Sequence, residues 1–179
     1  MVVVTRKDAE NYRFLRLYSI DLEMAKQSCD LLARQSDLEV RYCILRDIVV
    51  TYSRPFSKNI GRVFRRHALP ERIVPAAMRA LHAELVNLRH QAFAHTDHDF
   101  RNPQIARFPR KGGGGAYAMS FRNPAYEDLN RRVPEIRELV VSVEQGVNAK
   151  AREFELTFDQ LYPNELDLPL ERDSDAPGA

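Results

Sequence analysis

An all-α fold, a bundle of four long helices with a short β-hairpin between the third and the fourth, is what this sequence predicts. Three observations carry the expectation. The first 54 residues contain neither proline nor glycine. Apolar residues return at spacings of three and four over long stretches, and strand–helix–strand alternation is missing from the pattern. Period-two alternation is confined to one short stretch around a run of glycines.

In the first helix, expected over roughly 8 to 34, Leu15, Tyr18, Leu22, Ala25, Cys29 and Leu32 form the apolar stripe. The polar break Gln35, Ser36, Asp37 offers N-cap chemistry to a second helix over roughly 38 to 53, with Leu38, Tyr42, Leu45, Val49 and Tyr52 on one face. Pro55 ends it. From Pro55 to Pro75 no period is sustained, and Gly61 and Pro70 interrupt, so an irregular connection with room for a short helix at 60–67 is expected. Pro75 suits the first turn of a third helix, striped by Met78, Leu81, Leu85, Leu88 and Ala92 and ending near His95 to Asp97. Gln104 to Phe108 and Ala116 to Phe121 alternate around Arg110, Lys111 and Gly112 to Gly115, which reads as the hairpin. Asn123 and Pro124 then form an N-cap and N1 pair for a fourth helix. Its stripe is Tyr126, Leu129, Val133, Ile136, Val140, Val143 and Val147, extending to about Glu155, and Pro134 either kinks it or marks its real start.

The 179 residues fit one domain, expected over 1–156, followed by an acidic, proline-bearing tail over 157–179. That tail carries six acids against Arg172, so a chain of net charge +2 has a body of +7. Such a surplus favours a polyanionic partner. Cys29 and Cys43 show none of the density of a disulfide scaffold, and the first residues, MVVVTRKDAE, meet a charge before an export signal can form. A cytoplasmic protein that does not engage a membrane is the simplest reading. His82, His90, His95 and His98 cluster, yet neither a cysteine pair nor HExxH accompanies them, so no metal site and no cofactor are expected.

The glycines at 112–115 do not make a nucleotide loop, because Ala116 and Tyr117 follow where Lys and Ser or Thr would be needed. They fit a hairpin tip that uses positive φ. Two basic segments are candidates for RNA binding. One, Arg54, Lys58, Arg62, Arg65, Arg66 with His67, has no acid from 53 to 70 and interleaves Phe56 and Phe64; the other is Arg107, Arg110 and Lys111 at the hairpin. The alternative for the first is a solvated loop whose aromatics pin it to the helices.

The most specific chemistry lies at the end of the third helix, in LVNLRHQAFAHTD, where Arg89 is followed by the polar His90 and then by His95. This pattern and its placement resemble the HEPN superfamily. LRDIVVTYSRPFS and FAHTD are similar, more narrowly, to its abortive-infection-associated branch. The resemblance covers roughly residues 8–155. It implies a metal-independent endoribonuclease of toxin–antitoxin or phage-defence systems, with two protomers pairing their motif helices around one cleft and a cognate antitoxin protein as a further partner. Carried over by position, Arg89 stabilises the transition state, His90 is the polar residue after it, and His95 is the acid or base. His90 stands where the family often has asparagine, and Asp97 where some toxin members carry a tyrosine that accepts a nucleotide.

Cleavage by a ribose 2′-OH needs a base near neutral pKa and a cation over the phosphorane, which a His and an Arg supply. Six residues on an ideal helix rotate a side chain by about 240° and advance it by about 9 Å, so Arg89 and His95 do not share a face. Unwinding after Phe93 or a second protomer would bring them together. Two alternatives stand beside the enzyme. Arg89 pairs with Asp47 or Glu84 and only holds the helices together, or the chain is a non-catalytic module that binds RNA, nucleotide or a partner protein.

Overall fold

A computed structural model describes residues 4–94, 101–112, 114–121 and 126–163. It is mostly helical, with one small antiparallel hairpin. Helix α1, Arg6–Leu32, starts at Thr5, whose hydroxyl accepts the Asp8 N–H while the Asp8 carboxylate accepts the Thr5 N–H, both at 3.1 Å. Two orphan donors of the first turn are thereby satisfied. Helix α2, Leu38–Ser53, is capped by Asp37, which accepts from the N–H groups of Glu39 and Val40. Arg41 donates to the carbonyls of Leu32 and Gln35 at 2.8 and 2.6 Å and to Asn130 Oδ1 at 3.1 Å, fixing the turn between α1 and α2.

Helix α1 packs along α2 on one side and along the last helix on the other. The expected stripe of α1, Leu15 to Leu32, is buried throughout, and Leu45, Ile48, Val49, Leu85, Ile136, Leu139 and Val143 complete the centre. Each such side chain contributes roughly 1.5–3 kcal/mol by leaving water.

Four differences from the sequence-based expectation have local causes. Residues 60–67 form no helix. The chain doubles back through paired Asn59 and His67, and the N–H groups of Arg62, Val63 and Phe64, which a helix would use internally, point at the Glu10 carboxylate. The third helix is short: a 3₁₀ turn at Ala76–Met78 leads into α3, Arg79–Leu88, which widens into a π-helical turn at Arg89–Ala94. The expected fourth helix is two, α4 at Tyr126–Arg131 and α5 at Val133–Leu161, with Pro134 in the first turn of α5, so it marks a start rather than a kink. Last, α5 runs past Glu155 because Phe158 still finds buried contact, its ring 5.2 Å edge-on from Tyr12. The long helices are thus three, α1, α2 and α5, among the described residues. Asn123, Pro124 and the residues from 164 onward lie outside them.

The hairpin pairs β1, Gln104–Pro109, with β2, Gly115–Ser120, and Ile105 faces Met119 as Arg107 faces Tyr117. Gly112 and Gly114 at the tip have φ of 103° and 80°, the left-handed region that glycine enters without cost.

Two histidines are held neutral inside the fold. His82 Nδ1 lies 2.8 Å from the buried Tyr52 hydroxyl, and the His67 ring stacks 4.3 Å from Phe14 with Nδ1 at 2.8 Å from Tyr18 Oη and Nε2 at 2.9 Å from Asn11 Oδ1. Burial lowers both pKa values from 6.5, against an opposing pull from Glu71 on His82 and Glu10 on His67. Folding then excludes protons that the unfolded chain binds, so this stability is complete above pH 6.5 and is lost as pH falls below it. The urea midpoint is expected to decline between about pH 7 and 5, and His82→Gln is expected to flatten that decline; an unchanged slope in the variant refutes the assignment.

Candidate active site

Arg89 opens the π turn at the end of α3. A π turn closes hydrogen bonds five residues apart, which widens the helix and frees carbonyls, and such turns recur at functional sites. Here Arg101 Nη2 donates to the Ala92 carbonyl at 3.3 Å, supporting the turn from the strand side. The half-buried Arg89 donates from Nη1 to His90 Nδ1 at 3.1 Å, a contact that needs Nδ1 unprotonated, and its Nε is buried without a hydrogen-bond partner.

Neither carboxylate that would have made Arg89 a structural residue takes it. Glu84 binds Arg132 at 2.8 and 3.0 Å, and Asp47 accepts from Ser28 at 2.8 Å and from Thr51 at 3.4 Å. His95, the second half of the motif, lies outside the described residues, as do Asp97 and His98.

Behind the π turn is a cluster that sequence reasoning missed. Phe93 stacks on Tyr126 at 6.2 Å, and the Tyr126 hydroxyl donates to the Tyr42 hydroxyl at 2.6 Å. Burial, then the bond to Tyr42, pushes the Tyr126 phenol up, while Arg101 and Arg46 pull it down. The Tyr126 phenol therefore stays protonated at neutral pH. Tyr42 was legible only as one position of the α2 stripe. His82, which the sequence shows only as one of a histidine cluster, is buried with Tyr52 and Phe56, whose ring lies 4.3 Å away.

The two basic segments occupy different parts of the fold. Arg54 is paired with Asp21 at 3.2 Å, whereas Lys58, Arg62, Arg65 and Arg66 are exposed beside α1. Their aromatics are not available for stacking: Phe56 packs on His82, and Phe64 packs on Phe14 and His67. Arg107, Arg110 and Lys111 are exposed on the hairpin. Charge reversal at Arg65 and Arg66 together is expected to weaken RNA binding alike for all sequences and to flatten its salt dependence by about 0.7 for each phosphate no longer neutralised. Filter binding between 50 and 200 mM salt, about the range where such ion pairing is read, would refute a binding role if affinity held at the lower end.

Among the described residues no group of three or more His, Cys, Asp or Glu could hold a metal ion, and no helix is long and apolar enough to cross a membrane. No protein-family model, curated protein or solved structure matches the chain.

Proposed function

We propose that this chain is a metal-independent endoribonuclease of the HEPN type, a cytoplasmic helical bundle acting in toxin–antitoxin or phage defence. The observation that carries the reading is Arg89. Its guanidinium sits at a π turn, unclaimed by Asp47 or Glu84 and with a buried, unpartnered Nε. The donors of this guanidinium that a phosphate would meet are those that His90 does not take and that are not buried with Nε.

In the proposed reaction His95 takes the proton of a ribose 2′-OH, and the oxygen attacks the adjacent phosphorus. Arg89 stabilises the charge that collects on the non-bridging oxygens. The bond to the 5′-oxygen then breaks, and that oxygen takes up a proton as it leaves. The product ends in a 2′,3′-cyclic phosphate, which attack by water would not generate. Mass spectrometry of cleaved RNA is the test, and a product lacking the ring refutes the mechanism.

A homodimer completes the site in this reading, because His95 of one protomer need not share a face with its own Arg89. The exposed face of α3 and the turn after it presents Ala83, Asn87 and His90 for it. Ala83→Arg is expected to shift the protein from dimer to monomer in sedimentation at tens of micromolar, with the fold retained; a wild-type monomer there counts against the paired cleft. The contact between Arg89 and His90 favours a second reading, since it occupies Nη1 that a catalyst would direct at phosphate. In that reading the chain binds RNA, nucleotide or a partner protein without cleaving it, and absence of cleavage with retained RNA affinity would decide for it.

A further inference from the structure

The hairpin is unusual in what it leaves uncovered. Every residue of β1 is exposed, and so are the apolar side chains Ile105, Tyr117 and Met119, with Tyr117 at 71% of its full accessibility. Two-stranded hairpins are marginal in water unless a face is packed. Residues opposite one another in an antiparallel pair lie on one face, so Ile105 with Met119 and Arg107 with Tyr117 line a single side of the ribbon. Arg107 lies flat along that side: a Cβ built on Gly115 would stand 2.6 Å from its Nε. Glycine there leaves the room that the guanidinium occupies.

We propose that this face is a stacking platform for single-stranded RNA, with Tyr117, Met119 and Ile105 beneath the bases and Arg107, Arg110 and Lys111 along the phosphates. The inference rests on the RNA reading above and adds the substrate class. Charge selects the occupant. From Arg101 to Phe121 the chain has four cations and no acid, so a second copy of the ribbon would bring like charges together, whereas a polyanion is attracted. Aromatic and apolar side chains on a flat ribbon need base faces that are already unstacked, which a duplex withholds and a single strand offers.

The base of the ribbon is tied to the candidate active site. Arg101 donates to the Ala92 carbonyl of the π turn and lies 5.8 Å over the Phe121 ring just after β2, so one guanidinium links the platform to the turn that carries Arg89. A strand held on the ribbon is thereby presented toward that turn, and Arg101 is a positioning residue. The platform accounts for the aromatic contribution that Phe56 and Phe64, both turned inward, do not make.

The test measures binding of an oligoribonucleotide carrying 2′-O-methyl groups, which cannot be cleaved, against a duplex of the same sequence. Tyr117→Ala is expected to weaken single-strand binding by about 5- to 100-fold with the salt slope unchanged, and Tyr117→Phe to restore it, since stacking needs the ring and not the hydroxyl. Arg107→Gln is expected to lower the salt slope by about 0.7. Equal affinity of Tyr117→Ala and wild type overturns the platform, as does duplex binding as tight as single-strand binding. A change in oligomeric state of RNA-free Tyr117→Ala also overturns it and assigns the face to a second copy. Loss of binding in Tyr117→Ala, together with a wild type that binds but cleaves no RNA, upholds the platform while the nuclease reading fails. Binding abolished only in the Arg65 and Arg66 reversals leaves RNA recognition standing and removes the hairpin from it.

Discussion

Arg89→Ala and His95→Ala are each expected to reduce the proposed RNA cleavage by about 10²- to 10⁴-fold and to leave the unfolding transition in place. General acid–base catalysis and a charged transition-state donor each typically supply an effect of that size. Stability is expected to survive the loss of Arg89 because no ion pair with Asp47 or Glu84 is broken and one unpartnered buried N–H is removed. EDTA is expected to leave the rate of that cleavage unchanged, since the proposed base is an imidazole and the proposed electrophilic group a guanidinium. His90→Asn provides the contrast: it removes the imidazole that holds Nη1, frees that donor for phosphate, and preserves or raises activity. Cleavage that persists in His95→Ala, or that stops in EDTA, overturns the assignment.

Glu10→Ala destabilises the fold by about 2–4 kcal/mol, the expected size when a buried charged acceptor is withdrawn from several donors at once. The Glu10 carboxylate receives the N–H groups of Arg62, Val63 and Phe64 at 2.5 to 3.1 Å, and the Gly61 backbone lies close enough that a Cβ there would meet the carboxyl at 2.6 Å. Burial pushes this carboxyl up, yet the three backbone donors together with Arg13 outweigh it and hold the pKa below 4.5. Its contribution is therefore complete above pH 4.5 and is lost as pH falls through the lower folded value. Glu10→Gln keeps one acceptor oxygen and falls between Ala and wild type. A melting temperature indistinguishable from wild type for Glu10→Ala would mean that the 58–68 segment is held by the Phe14, Phe64 and His67 stack alone.

The helical stripes were readable because burial repeats with the period of the helix. Leu15 to Leu32 and Leu45 to Tyr52 needed only that period, and Asp37, placed before an apolar run, marked where α2 begins. Arg89 and His90 were readable as a motif. Their surroundings were not: Tyr42 and Arg46 on α2, Arg101 before β1 and Tyr126 on α4 lie up to 84 residues apart, and no local signal links a tyrosine of one helix to that of another. The short helix expected at 60–67 failed for the same reason, since its competitor was Glu10, 52 residues before Arg62 in the chain.

The sequence by itself determined the helical class, the hairpin and the charge of its basic segments, because periodicity, turn chemistry and net charge are local or summed properties. Only the tertiary structure decided which polar groups are free to act. It took Arg54, Glu84 and Asp47 into internal pairs, set His82 and His67 against Tyr52 and Tyr18, turned Phe56 and Phe64 inward, left Arg89 held by His90 and not by a carboxylate, and left the Tyr117 face exposed. The physical reason is that a buried donor or acceptor must find its partner in three dimensions, and which groups meet is set by helix packing rather than by spacing along the chain.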